Sequence, residues 1–123
     1  MTPLIQVALG GAIGASARYL TGIAAARLLG KGFPWGTLIV NIAGSFLMGV
    51  LVIALLQFNG NRYAPLLMTG ILGGFTTFSA FSLDAVTLYE RGQIGLAATY
   101  VAGSVILSIG ALFAGLSLAR SLT

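Results

Sequence analysis

The sequence predicts an all-α membrane protein of four transmembrane helices, with a break in the third, assembling as an antiparallel, dual-topology homodimer. Three observations carry this. Of 123 residues, 58% are hydrophobic, and the charged side chains number six basic and two acidic. A soluble domain of this size has no interior large enough to hide so much apolar surface. The apolar residues fall into four stretches, each exceeding the roughly 20 residues a helix needs to cross a bilayer. The basic residues at the stretch ends are divided almost evenly between the two sides.

The first stretch covers about 3–29. Thr2 is placed to cap it, and Pro3 sits in the first turn, where a missing N–H costs nothing. It has no basic leader and its apolar run is too long for a signal peptide, so it is expected to stay in the mature protein. Gly30-Lys31-Gly32-Phe33-Pro34-Trp35 breaks the chain, with Trp35 as an interfacial anchor. The second stretch covers about 36–57 and ends at Asn59-Gly60-Asn61-Arg62. The third covers about 65–90 and stops at Glu90-Arg91-Gly92. The fourth covers about 94–119. Together they make one domain, 1–123, with no internal repeat and no low-complexity segment.

The third stretch is the unusual one. Gly70 to Phe81 read Gly-Ile-Leu-Gly-Gly-Phe-Thr-Thr-Phe-Ser-Ala-Phe. Gly73 and Gly74 weaken a helix, and the hydroxyls of Thr76 and Thr77 compete for backbone hydrogen bonds. Freed backbone groups at membrane depth are tolerated only inside protein or beside a water-filled path. The segment reads as a discontinuous helix built to meet an ion. Phe78 and Phe81 share a face if the helix resumes. Two GxxxG pairs, Gly10 with Gly14 and Gly70 with Gly74, read as helix-packing positions.

Arg62 and Arg120 fall on the side of the termini, and Arg27, Lys31 and Arg91 on the other. Arg18 lies too deep to count. Two against three is almost no orientation bias. Insertion in both orientations and pairing of opposite copies supplies the inverted symmetry that many transporters encode within one chain. Four short helices also leave too little protein to enclose a polar path alone.

Composition excludes several function classes. With no cysteine or histidine there is no disulfide, thiol catalysis, usual zinc site or histidine proton relay. Asp84 and Glu90 are the acidic residues, which leaves no paired carboxylates for hydrolysis, and no enzyme constellation is visible. The net charge of +4 comes from basic residues scattered singly at stretch ends, a membrane-flank pattern rather than a nucleic-acid surface.

Polar residues at membrane depth are the candidate functional groups. At 1.5 Å per residue, Arg18 lies about 22 Å along the first helix, Asn41 about 8 Å in from the opposite surface and Asp84 about 9 Å from that same surface. Tyr100 is six residues in from it. The four share one half of the membrane, where charges pair or line a wet cavity. Arg18 and Asp84 are therefore either an ion pair or part of an ion-attracting vestibule. Asn41 is either a pore amide or glue between helices. Tyr100, Ser104 and Ser108 recur at steps of four, placing three hydroxyls on one face for packing or for a path.

Four segments together resemble the Fluc family of fluoride channels: Gly-Gly-Ala-Ile-Gly-Ala-Ser-Ala-Arg-Tyr (10–19), Pro-Trp-Gly-Thr-Leu-Ile-Val-Asn-Ile-Ala-Gly-Ser-Phe (34–46), Gly-Gly-Phe-Thr-Thr-Phe-Ser-Ala-Phe-Ser (73–82), and Tyr100 with Ser104 and Ser108. They span all four helices in order. The resemblance implies a multi-pass protein of the cell's inner (plasma) membrane. There, a dual-topology homodimer with two antiparallel pores lets fluoride leave the cytoplasm, giving fluoride resistance. It implies a structural sodium ion at the dimer centre, held by main-chain carbonyls that fall on Gly73 and Thr76. It assigns Phe78 and Phe81 to the pore lining, Asn41 to the pore asparagine, Tyr100, Ser104 and Ser108 to a polar track, and Arg18 to the first-helix arginine. Asp84 stands where family members often carry glutamate, and Ala80 where threonine is commoner.

The chemistry suits the ion. Asparagine NH₂ and tyrosine or serine O–H groups donate to an anion, and phenyl edges carry partial positive charge. A fixed central cation offsets desolvation along the path. The main rival is a proton-coupled small multidrug transporter, which also pairs short four-helix chains. It requires a membrane-embedded carboxylate, typically in the first helix, where this chain has Arg18 and no acid.

Overall fold

Thr2 caps the first helix as its sequence position predicts: the Ile5 N–H donates to Thr2 Oγ1 at 3.3 Å. The computed structural model describes residues 2–57 and 61–122. Helix α1 (Pro3–Leu29) ends at Gly30, whose φ of 87° suits glycine and whose N–H returns to the Ala26 carbonyl at 3.1 Å. Helix α2 (Trp35–Gln57) follows. Asn59 and Gly60, expected to end it, lie outside the described residues. A 3₁₀ turn, Asn61–Tyr63, leads into α3, which has wide π turns over Pro65–Leu72 and tightens to an α turn at Gly73–Phe75. The chain then breaks, resumes as α4 (Ser79–Glu90), turns at Gly92 and finishes with α5 (Ile94–Leu122).

The two GxxxG pairs interlock, as expected of packing positions. A Cβ on Gly10 would lie 2.5 Å from the Leu66 carbonyl oxygen, and one on Gly74 would lie 2.8 Å from that of Gly11. A Cβ on Gly14 would overlap the Ile71 carbonyl. The backbones of α1 and α3 therefore touch directly, the arrangement in which weak Cα–H···O contacts form. A second close crossing joins α2 to α5: a Cβ on Gly49 would overlap the Leu112 carbonyl, and one on Gly115 that of Phe46. Between α4, α5 and α2 lies a small core of Leu38, Phe81, Leu88, Ala97 and Tyr100, against which Phe33 packs.

The helix break is present but lies two residues beyond the glycine pair. Gly73 and Gly74 stay helical, with Gly73 at φ −61°, ψ −38°. The chain turns extended at Thr76 (φ −89°, ψ 161°). The glycines serve contact with α1, and the break is made elsewhere.

Among the described residues, three elements are long and apolar enough to cross a membrane: Trp35–Gln57, Asn61–Glu90 taken as one run, and Ile94–Leu122. The 27 residues of α1 have the length, about 40 Å at 1.5 Å per residue, but it is not among these three. Gln6, Arg18 and many small residues lower its hydropathy.

Gly14→Ala should destabilise the fold by about 1–3 kcal/mol, because the added methyl meets a backbone carbonyl that cannot move alone. Gly95→Ala, with nothing within 4 Å of its Cβ position, should stay within about 0.5 kcal/mol of the parent. Thermal unfolding of the detergent-solubilised protein distinguishes the two; equal losses would show that the α1–α3 contact is loose.

Candidate functional site

Asn41 projects from α2 into the break and makes two hydrogen bonds with one residue. Its Nδ2 donates to the Thr77 carbonyl at 2.9 Å, and its Oδ1 accepts the Thr77 N–H at 2.8 Å. An amide side chain thus stands in for a backbone partner. The Thr77 N–H would otherwise continue the helix onto the Gly73 carbonyl; with it diverted, the helix stops.

The surrounding groups complete the break. Thr76 donates both its N–H and its Oγ1 to the Leu72 carbonyl, at 3.0 and 2.9 Å. Thr77 Oγ1 accepts the Ala80 N–H at 3.1 Å and so caps α4. Arg18 Nε donates to the Gly74 carbonyl at 3.3 Å. Among the described residues no backbone N–H reaches the carbonyls of Gly73 and Thr76. Gly44 makes room, since a Cβ there would overlap the Thr76 methyl.

Beside the break runs a groove of about 560 Å³ whose lining includes Asn41, Thr77, Phe78, Phe81, Ser104 and Ser108. No charged side chain lines it among the described residues. Ser104 Oγ and Ser108 Oγ are buried with no hydrogen-bond partner. Five other hydroxyls are engaged within the chain. Thr21, Thr76, Ser82, Thr87 and Thr99 each donate to the carbonyl four residues earlier. Buried hydroxyls without partners are costly and uncommon, and these two lie one turn apart on α5. The Phe78 and Phe81 rings lie 5.5 Å apart on the groove wall. Phe81 is buried, whereas Phe78 is 77% exposed, so the groove is open on that side.

Tyr100 does not line the groove. It is fully buried, its ring edge-on to Phe33 at 5.5 Å and 5.3 Å from Phe81, and its hydroxyl donates to Asp84 Oδ2 at 3.1 Å. Asp84, with Lys31 and Arg91, lines a second cavity of about 310 Å³. Phe81 lines the first cavity and Asp84 the second, and Tyr100 contacts both residues. Arg18 and Asp84 are not partners: the arginine turns to the Gly74 carbonyl and the aspartate to Tyr100.

The profile described as CrcB-like protein, Camphor Resistance (CrcB), matches residues 5–116. The chain belongs to this family. It is 68% identical over 120 residues to a Cereibacter sphaeroides protein named Fluoride-specific ion channel FluC, covering 98% of this chain and 96% of that one. Proteins of the same name from Agrobacterium fabrum and Paracoccus denitrificans are 56% identical over 124 residues and 58% over 118. Those matches cover 99% of both chains and 96% and 94% respectively. The names of these relatives are those of channels, not of enzymes.

The groove gathers seven of the ten residues singled out from the sequence: Asn41, Gly73, Thr76, Phe78, Phe81, Ser104 and Ser108. Arg18, Asp84 and Tyr100 lie apart from it. Sequence reasoning missed Gly44 and Ser45, which face the groove one turn beyond Asn41; the four-residue step from Asn41 to Ser45 was the available signal.

Asn41→Leu should lower stability by about 2–4 kcal/mol, because it strands both the N–H and the carbonyl of Thr77. Asn41→Asp keeps the acceptor and should fall between. Denaturation in detergent ranks the three; a leucine variant as stable as the parent would show that the break does not depend on the amide.

Proposed function

We propose that the chain is a fluoride-selective channel that lets fluoride leave the cytoplasm down its gradient and so confers fluoride resistance. The observation that carries this is the pair of orphaned serine hydroxyls in a groove with no acid. Fluoride is small and holds water tightly, so a path must offer replacement donors at close spacing. Ser104, Ser108 and the second N–H of the Asn41 amide are such donors, and the Phe78 and Phe81 ring edges add weak positive potential. The names of the close relatives point to the same ion.

A proton-coupled multidrug transporter is the poorer reading. Its carboxylate should face the substrate path, but Asp84 lines the other cavity and accepts from the Tyr100 hydroxyl.

The working unit in this reading is an antiparallel homodimer in the inner membrane, each chain crossing four times with α1 included. The groove is open on the side of Phe78 and the partly exposed Val105 and Ile109 of α5, and a second copy would close it. The helix break fits a monovalent cation. The Gly73 and Thr76 carbonyls lack backbone donors, and no cluster of three or more acidic, cysteine or histidine residues is present among the described residues to hold a divalent ion. Those carbonyls, from both chains, would hold sodium at the dimer centre. When bound, the ion supplies fixed positive charge near the path. Asn41 and Arg18 meanwhile hold the neighbouring backbone groups so that these carbonyls stay free.

Proteoliposomes loaded with fluoride should empty rapidly, and chloride-loaded ones should not. The double substitution Ser104→Ala with Ser108→Ala should cut fluoride efflux at least about tenfold, since each lost donor to an anion is worth roughly a factor of ten or more. Its stability should hold, because no hydrogen bond within the chain is lost. Normal efflux in the double variant would remove the groove from the path.

Phe81→Ile tests the aromatic wall. Fluoride flux should fall sharply with a modest stability loss; unchanged flux with a lowered Tm would leave Phe81 a core residue only. Reporters on the C-terminus that are active on opposite membrane faces should both give signal. Signal from a single face would end the antiparallel model.

A further inference from the structure

Arg18 reaches 56 residues along the chain to bond one particular carbonyl, that of Gly74, at 3.3 Å through Nε. Gly74 sits between residues whose carbonyls have no backbone donor. Following the carbonyls through the break gives a consistent pattern. Leu72 takes two donors from Thr76, Gly74 takes Arg18, Thr77 takes Asn41, and Phe78 takes the N–H and Oγ of Ser82. Those of Gly73, Phe75 and Thr76 receive no donor among the described residues. Asn41 makes the break, and Arg18 removes the Gly74 carbonyl from the run Gly73–Thr76 that would otherwise be available to a ligand.

We propose that Arg18 is a positioning residue that sets the cation preference of the helix break. The inference rests on the reading of the Gly73 and Thr76 carbonyls as a monovalent-cation site. Two effects follow from its place. The Nε–H fixes the Gly74 carbonyl on the α1 side, so the number and spacing of oxygens offered to the ion are constrained. The guanidinium charge, permanent and held by a partly buried contact, also raises the potential at the break. It therefore penalises a doubly charged ion about twice as much as a singly charged one. The close α1–α3 packing makes this possible: with Gly74 against Gly11, and Gly14 against Ile71, α1 lies near enough for Arg18 to span the seam.

A packing role alone predicts a uniform loss of stability when Arg18 is changed. The positioning role predicts a change in ion preference. The test is thermal unfolding of the purified full-length protein in detergent, titrated with Na⁺, Li⁺ or K⁺ against N-methylglucamine, for the parent, Arg18→Lys and Arg18→Gln. In the parent, sodium should raise Tm at lower concentration than lithium or potassium. Arg18→Lys, which keeps the charge, should need about ten times more sodium for the half-maximal shift, the factor expected from losing one charge-assisted hydrogen bond, and Arg18→Gln a smaller rise because it also loses the repulsion. Their preference for sodium over the other two ions should shrink at least about threefold. Arg18→Lys keeps the charge but not the planar fork, and it carries the comparison alone if the glutamine variant does not fold. Magnesium should stabilise only the neutral glutamine variant.

Parental sodium midpoints and ion preference in the variants, whatever their Tm, would overturn the inference while leaving the cation site standing. A parent whose Tm ignores all three ions would bring down the cation reading and this inference together. The fluoride-efflux assay reports separately on the channel reading.

Discussion

The paired hydrogen bonds between the Asn41 amide and Thr77 are the constraint on which the rest depends. A helix that stops at membrane depth strands backbone groups that lipid cannot satisfy. Here one amide supplies both an acceptor and a donor to the first unpaired residue. Thr77 Oγ1 restarts the helix by accepting from Ala80, and Thr76 doubles back onto Leu72. Each group needs its neighbour in place. The threonine methyl fits only because Gly44 lacks a side chain, and Arg18 reaches Gly74 only because four glycines let α1 and α3 touch.

The same arrangement places the groove. Holding α4 after the break brings Phe78 and Phe81 beside Asn41, and the Gly49–Gly115 crossing brings α5 close enough for Ser104 and Ser108 to face them. Phe81 then packs on Tyr100, whose hydroxyl is tied to Asp84, so the aromatic wall is braced from behind by a polar contact. Residues far apart in the chain are thereby coupled: a change at Asp84 or Tyr100 acts on the groove through Phe81 without touching its contents.

Much of the fold was legible in the sequence, because apolar run length, capping residues and GxxxG spacing are local signals. Thr2, Pro3 and the helix starts near 36, 65 and 94 follow from them. The break was legible as a fact but misplaced by two residues. Glycine marks both weak helix and close contact, and only the position of α1 separates the two. The Gly49–Gly115 crossing left no trace, since single glycines on two helices carry no shared spacing. Asn41 read as pore amide or glue, and its geometry shows how the choice arises: one donor and the acceptor go to Thr77, leaving a second N–H on the groove side of the question. Tyr100 shares the helical face of Ser104 and Ser108 by spacing, yet its ring packs on Phe33 and Phe81 and its hydroxyl is tied to Asp84, while the two serines line the groove.

A path for an anion must attract without trapping. A lysine or arginine in the groove would hold fluoride strongly, and a carboxylate would repel it; among the described residues neither lines it. Neutral donors give binding that is favourable enough to enter and weak enough to leave. The positive charges stand to one side: Arg18 is occupied at the seam of α1 and α3, and Lys31 and Arg91 line the separate cavity with Asp84. In the proposed reading, charge placed beside the path rather than in it would raise the local anion concentration while the serines and the amide replace hydration step by step. The unpartnered state of Ser104 and Ser108 is part of that economy, because a hydroxyl already committed to its own helix must break a bond before it can serve a passing ion, and these two have none to break.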